Sequence, residues 1–136
     1  MIADSSGLIS AYVSKDQNHK IAVRIKQKLE NSLGAIYIPS EVFAETINIV
    51  GKKLGHKTSI KLAEGILTTK VFLVVESNEG IRAFALNKFQ NQPESVSFID
   101  CLVMAFADFY ETREIFGFDE AFRKNGYTRI GIDTKS

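Results

Sequence analysis

Short runs of apolar residues alternate along the chain with longer segments in which apolar positions recur at helical spacing. The short runs predict four strands, at 2–3, 35–38, 71–75 and 115–118, and a weaker fifth strand at 128–130. The helical segments start near Ser5, Asp16, Pro39, Thr58 or Ser59, Asn78, Ser97 and Ala121. Strands that alternate with helices predict an α/β fold in which right-handed crossovers join the strands of a parallel sheet.

Two segments are apolar on every side. The run 71–75 reads Val-Phe-Leu-Val-Val, which is typical of a strand buried on both faces of a parallel sheet. The segment 97–110 is almost wholly apolar at helical length, which predicts a helix in the core.

Composition narrows the class of protein. The 136 residues fit one domain, over 1–136, with a core of its own. A net charge of +1 gives no bulk electrostatic argument for or against nucleic acid. The sole cysteine, Cys101, excludes a disulfide framework, so we expect a cytoplasmic protein. No leader precedes the first strand and no apolar run reaches the length of a membrane span, so we expect neither a leader peptide nor a transmembrane helix.

Four carboxylates stand at corresponding places in the predicted fold. Asp4 ends the first strand and Asp119 ends the fourth, while Glu45 and Asp100 lie in the first turns of helices. Parallel strands share one carboxyl end, and the helices that follow them start there. We therefore expect all four acids at one edge of the sheet, beside the crevice where the strand order reverses.

Each acid also has a simpler interpretation. The three aspartates could serve only as helix caps, and Ser97 with Asp100 resembles a capping box. Glu45 lies close to Glu41, and either could be a surface acid. Glu45 is followed by a largely apolar helix, however, where an unpaired charge is costly.

Clustered carboxylates repel one another, and a hard divalent cation is the usual counter-ion. Magnesium and manganese prefer oxygen ligands, and they can activate water and neutralise charge on a phosphate. Asp4, Asp100 and Asp119 are the candidate metal acids, with Glu45 completing a catalytic set for phosphodiester hydrolysis. Zinc is not expected, because the single cysteine and two scattered histidines make no ligand set.

Two basic residues are candidate substrate contacts. Lys52 lies seven residues after Glu45, on about the same helix face, and Arg123 lies four residues after Asp119. Either could meet a phosphate beside the metal. Each could equally be a solvated surface residue.

The order of these motifs resembles the PIN-domain family, most closely its VapC-type toxin ribonucleases. Residues 1–6 resemble the family's opening strand and Asp-Thr/Ser-Ser turn. Segments 40–48, 97–102 and 116–122 resemble its second, third and fourth acidic motifs, with Glu45, Asp100 and Asp119 as the matching acids. One position departs, because many relatives carry Thr or Ser where this chain has Gly117. Ser6, on the opening turn, still offers a hydroxyl for a water or a substrate.

The resemblance implies a three-layer α/β/α fold with a five-stranded parallel sheet of order 3-2-1-4-5. It also implies a Mg²⁺- or Mn²⁺-dependent endoribonuclease acting on single-stranded RNA, often as a homodimer, and inhibited by a cognate antitoxin. Two hypotheses remain beside the toxin: a non-catalytic RNA-binding module and a housekeeping RNA-processing nuclease. A phosphoryl-accepting receiver domain ranks low, because Asp4 has no acidic neighbour and Val75 is followed by Glu76.

Overall fold

The computed structural model describes residues 1–134. Five strands and seven helices alternate along these residues. The strands are β1 (Ile2–Ala3), β2 (Ile36–Pro39), β3 (Phe72–Val75), β4 (Glu114–Phe116) and β5 (Thr128–Arg129). The helices are α1 (Ser5–Tyr12), α2 (His19–Ser32), α3 (Ser40–Leu54), α4 (His56–Thr68), α5 (Glu79–Gln90), α6 (Phe98–Phe109) and α7 (Glu120–Lys124).

The strands form one parallel sheet in the order β3-β2-β1-β4-β5. In its register, Ile2 of β1 pairs with Tyr37 on one side and with Ile115 on the other. The predicted α/β class and strand order are therefore confirmed. The strand order reverses at β1, which puts the carboxyl ends of β1 and β4 on either side of a crevice.

Helices cover the sheet on both sides. The chain runs in one direction across the sheet from β1 to β3 and in the other from β3 to β5, so right-handed crossovers place the two sets of helices on opposite faces. The contacts agree with this, since α3 packs against α1 and α4, and α6 packs against α5 and α7. The acid-bearing helix starts therefore approach the crevice from both layers.

The core lies around β1, β4 and α6. Ile2, Ala3, Ile115 and Phe116 are fully buried, and so is nearly all of the run 101–107 in α6. This confirms the predicted core helix, whose burial removes a continuous apolar surface from water. No helix within residues 1–134 is long and apolar enough to cross a membrane.

One expectation about the sheet was wrong. The third strand is not buried on both faces, because β3 is an edge strand whose Leu73 and Val74 are 44% and 36% exposed. A continuous apolar run shows that a strand lacks a polar face, but it does not show how many neighbours the strand has. The exposed residues of β3 instead form an apolar surface at the sheet edge.

Candidate active site

Asp4 is fixed at the point where β1 becomes α1. Its backbone N–H donates to the carbonyl of Phe116, 3.0 Å away, which ties the turn to β4. Its side chain caps α1, because Oδ2 accepts from the backbone N–H of Ser6 at 3.3 Å and from the Ser6 hydroxyl at 2.8 Å. The carboxylate is 5% exposed, so it stands at the floor of the crevice.

Asp100 and Asp119 take part in capping two more helices that start at this edge, α6 and α7. Asp100 and Ser97 form a complete capping box, with the Ser97 N–H donating to Asp100 Oδ2 at 3.0 Å. Asp119 Oδ1 accepts from the N–H of Ala121 at 2.9 Å. The capping interpretation is therefore correct for all three aspartates, but it accounts for only part of each side chain.

Each of these aspartates uses one carboxylate oxygen for its cap. Oδ1 of Asp4, Oδ1 of Asp100 and Oδ2 of Asp119 accept no hydrogen bond from any residue between 1 and 134. Capping holds the carboxylates in place, because it fixes both the backbone and one oxygen. The second oxygen of each remains open to a cation or to water.

The two glutamates of α3 have different surroundings. Glu41 accepts a hydrogen bond at Oε2 from the hydroxyl of Ser77, 2.7 Å away, and so joins α3 to the segment after β3. Glu45, one turn further on, is half-buried and lies within electrostatic range of Asp4 and Asp100. Glu45 is thus the glutamate that lies near the other acids.

Burial and mutual repulsion raise the pKa values of Asp4, Glu45 and Asp100. Burial, reinforced by the charges of Asp100 and Glu45 and opposed by the Ser6 hydrogen bonds, raises the pKa of Asp4 to about 6. Burial and the charge of Asp100 raise the pKa of Glu45 above its ordinary value. Burial and the charge of Asp119 do the same for the pKa of Asp100. The structure therefore brings all four acids into one electrostatically linked group, here called the acidic cluster.

The acidic cluster fits a hard cation by its donor chemistry. Within residues 1–134, no three acidic, histidine or cysteine side chains lie close enough together to form a ready-made metal cage. Magnesium does not require one, because it usually keeps several waters and takes one or two carboxylates. The open aspartate oxygens and the raised pKa values of Asp4 and Asp100 both favour a cation that would relieve the repulsion.

Gly117 is required by a close approach of β4 to Asp4. A Cβ on Gly117 would lie 2.7 Å from the Cβ of Asp4, nearer than real Cβ contacts come, and 3.4 Å from Ser6 Oγ. A Thr or Ser at this position would therefore displace Asp4. Ser6 supplies the hydroxyl nearest to this position.

The Ser6 hydroxyl connects the two central strand ends. It donates to Asp4 Oδ2 and accepts from the backbone N–H of Phe118 at 2.9 Å. Its single hydrogen is thereby committed to Asp4, so its effect in this arrangement is to hold that carboxylate. A contact of Ser6 with substrate stays a prediction.

The two predicted basic contacts differ in whether the side chain is already paired with an acid of the protein. Lys52 is exposed and lines an opening of about 370 Å³ together with Glu45 and Ile99, so its side chain reaches the mouth of the acidic cluster. Arg123 is exposed too, but its guanidinium pairs with Glu120 one turn earlier in the same helix. Lys52 is the better placed of the two for a phosphate.

Sequence reasoning missed Arg129, which is 9% exposed. Its guanidinium forms a two-pronged pair with Asp133, at 3.0 and 2.9 Å, and donates to the carbonyl of Phe118 at 3.1 Å. Arg129 thereby positions the residue before Asp119. An arginine within a short apolar strand, with an aspartate four residues later, was the available signal.

Sequence reasoning also missed a cavity of about 480 Å³ beside the acidic cluster. Ser6, Phe118 and Asp119 line one end of it, and the α1–α2 loop and the second half of α3 line the rest. We call it the loop cavity. It joins segments that are far apart in sequence, which explains why no local pattern indicated it.

The family model for the PIN domain matches residues 1–126. The chain therefore belongs to the PIN-domain family, whose members are typically ribonucleases. Among solved structures it is similar to the crystal structure of VapC20 from Mycobacterium tuberculosis, a sarcin–ricin loop cleaving toxin. The two share 20% sequence identity and a TM-score of 0.78, over 95% of this chain and 97% of that one. This likeness confirms the VapC-type fold. No curated protein matches the sequence.

Proposed function

We propose that the protein is a metal-dependent endoribonuclease that hydrolyses phosphodiester bonds of single-stranded RNA in the cytoplasm, as the toxin of a toxin–antitoxin pair. One observation carries the proposal. Three aspartates at the crevice each cap a helix with one oxygen and leave the other without a protein partner. A protein that needed only caps would gain nothing by gathering three of them where their charges repel.

The residues take distinct roles. Asp4, Asp100 and Asp119 would hold Mg²⁺ or Mn²⁺, and when bound the cation supplies charge neutralisation and a water of lowered pKa. Glu45 completes the catalytic set. Burial raises the pKa of Glu45, so its carboxylate accepts a proton more readily than an ordinary glutamate does. Ser6 holds Asp4, and Arg129 holds the carbonyl before Asp119.

The proposed substrate contacts are Lys52, Arg123 and Ser6. Lys52 lies at the mouth of the cluster beside Glu45, where it would meet a phosphate of the strand. Arg123 would have to leave Glu120 to do so, which makes its contribution smaller. The N-termini of α1 and α6 add favourable dipole ends for an anionic chain.

The family resemblance supports two protein partners, a second copy in a homodimer and a cognate antitoxin. The surface supports protein partners as well, since large apolar side chains lie exposed on two helical faces. One face belongs to α5 and α6, where Phe84 and Phe109 contact each other edge to face and are 53% and 44% exposed, and the other to α4, where Leu67 is 63% exposed.

A non-catalytic RNA-binding module is the second candidate. It is favoured by the absence, within residues 1–134, of a ready-made group of three metal-binding side chains. Such a module would bind single-stranded RNA without added cation and would not cut it.

Cleavage of labelled single-stranded RNA with Mg²⁺, Mn²⁺ or a chelator separates the two candidates. We expect the wild type to cut only with a cation, Asp4→Asn to lose at least about a hundredfold in rate, and the exposed-acid control Glu64→Gln to match the wild type. Equal cutting by wild type and Asp4→Asn would refute the proposed site. Metal-independent binding without cutting would establish the binding module.

A further inference from the structure

We propose that the loop cavity binds one unpaired purine base of the substrate strand, next to the bond that is cut. The inference rests on the proposed function for the identity of the strand. Its starting point is position: Ser6 and Asp119 line both the acidic cluster and the loop cavity. A group that fills the cavity therefore lies within a nucleotide or so of the candidate metal acids.

The cavity has the size and lining of a base site. At about 480 Å³ it falls in the range of small-ligand pockets, roughly 300–1,000 Å³. Ile9, Ile49 and Leu54 form apolar walls, and the half-buried ring of Phe118 stands at the end shared with Asp119. Bases of single-stranded RNA bind on such surfaces by stacking on aromatic and apolar side chains. The larger ring system of a purine covers more of these walls than a pyrimidine does.

The polar wall is the α1–α2 loop, and its backbone is held in place. Asp16 Oδ1 accepts from the Ser10 hydroxyl at 2.7 Å and from the N–H of Asn18 at 2.9 Å. His19 Nδ1 donates to the carbonyl of Ser10 at 2.7 Å. Two of these hydrogen bonds join the loop to Ser10 of α1, and the third holds the loop's own backbone. The loop is thus fixed before any ligand arrives, which lowers the entropic cost of binding.

The side chains on this fixed loop are free to bind a ligand. The amides of Gln17 and Asn18 make no hydrogen bond to any residue in 1–134, and Asn18 does not cap α2 with its side chain. Each amide offers a donor and an acceptor together, the pattern that pairs with an adenine edge. A fixed backbone that carries uncommitted amides beside an apolar wall is suited to reading a base.

Lys53 supplies the one positive charge among the residues that line the loop cavity. It is exposed on α3, next in sequence to Lys52, yet the two side chains border different openings. We assign Lys53 to the phosphate of the bound nucleotide. The two lysines would then hold successive phosphates on either side of the cut.

Adenosine and uridine test the cavity without the acidic cluster, because nucleosides carry no phosphate. We expect adenosine to shift the backbone amide NMR signals of residues 16–18, 49–54 and 118 in the wild type. In the same titrations, we expect adenosine to bind at least about threefold more tightly than uridine. The double change Gln17→Ala and Asn18→Ala should abolish that difference, whereas Gln27→Ala, an exposed glutamine of α2, should keep it. Shifts confined to other residues, or equal affinity for the two nucleosides, would overturn the inference.

Cleavage mapping is the second test of base binding at the loop cavity. On oligouridine with a single adenosine, we expect cuts at a fixed distance from the adenosine and a scatter of cuts in the Gln17→Ala, Asn18→Ala variant. Cuts at positions unrelated to the adenosine would overturn the base-binding inference but would still support the proposed nuclease activity. Adenosine shifts at the loop cavity without any cleavage would keep the base site and refute the nuclease.

Discussion

Asp4 and Asp133 are the same residue type in opposite electrostatic settings. Asp133 faces Arg129 in a two-pronged ion pair, and the hydrogen bonds of that pair lower the pKa of its carboxyl. Asp4 is buried among other acids, and its pKa is raised to about 6. The protein compensates the charge of Asp133 with Arg129, whereas no basic side chain within residues 1–134 contributes to the pKa of Asp4. Under the proposed function, the charge of Asp4 would be compensated by the bound cation.

Neutralising Asp4 should give the largest effect and should act on activity and stability in opposite directions. Asp4→Asn removes a proposed metal ligand, so we expect at least about a hundredfold loss of cleavage rate. Because the folded pKa of Asp4 lies above its unfolded value, its ionisation opposes folding. The stability that the protonated carboxyl contributes is complete below about pH 4 and is lost as the pH rises through about 6.

Asp4→Asn should therefore raise the unfolding free energy above pH 6, by up to about 2 kcal/mol in chelator, and leave it nearly unchanged at pH 4. Denaturant titrations at the two pH values measure this. Added Mg²⁺ should stabilise the wild type and not the variant. A variant that is less stable than the wild type at pH 7.5 would show that the wild-type protein already compensates the negative charge of Asp4.

A side chain at Gly117 should disturb the cluster without removing an acid. In Gly117→Ala the new Cβ would meet the Cβ of Asp4 at 2.7 Å, so Asp4 must shift. We expect about a tenfold loss of cleavage rate, because small displacements of catalytic groups are costly. The control is Gly51→Ala in α3, whose Cβ would make an ordinary 3.4 Å contact with Ser59 Oγ of α4. Unchanged rates in Gly117→Ala would show that Asp4 tolerates the shift.

The ion pair between Arg129 and Asp133 can be weakened with Arg129→Lys, which keeps the positive charge and loses the two-pronged geometry. We expect the unfolding free energy to fall by about 1 kcal/mol and the cleavage rate to fall a few-fold, because the carbonyl of Phe118 loses its donor. Urea unfolding and rate assays beside the exposed control Arg24→Lys measure both effects. A loss of stability with no change in rate would confine Arg129 to the fold.

The smallest effects should come from the predicted phosphate contacts. Lys52→Met should raise KM about threefold with kcat unchanged, since an exposed lysine contributes roughly 1 kcal/mol or less to a phosphate contact. Arg123→Gln should have less effect, because its guanidinium is already paired with Glu120. The control is Lys57→Met on α4. A fall in kcat for Lys52→Met would place that lysine in the chemical step instead.

Much of the fold and of the acidic cluster could be predicted because both follow from local patterns. Alternation of strand and helix segments dictates a parallel sheet, and parallel strands bring their carboxyl ends to one edge. The start of α4 was placed at Thr58 or Ser59 for their capping side chains, whereas the helix begins at His56, directly after Gly55. The hydroxyl of Ser59 instead donates to the carbonyl of His56 within the helix.

What could not be predicted depends on which segments become neighbours. The edge position of β3 follows from strand order, which no property of its own four residues encodes. The buried guanidinium of Arg129 depends on a carbonyl eleven residues earlier, and the loop cavity on three separate segments. Periodicity indicates which face of an element is buried, but it leaves the partner unspecified.

The bond between Ser6 and Phe118 spans 112 positions of the chain. The ribosome therefore makes the central strand β1 well before its neighbour β4 and the acid at Asp119. A nascent chain cannot assemble the crevice until the segment around Asp119 has left the exit tunnel. If the protein cuts RNA as proposed, a growing chain that still lacks this segment would be harmless to the message and the ribosome that produce it.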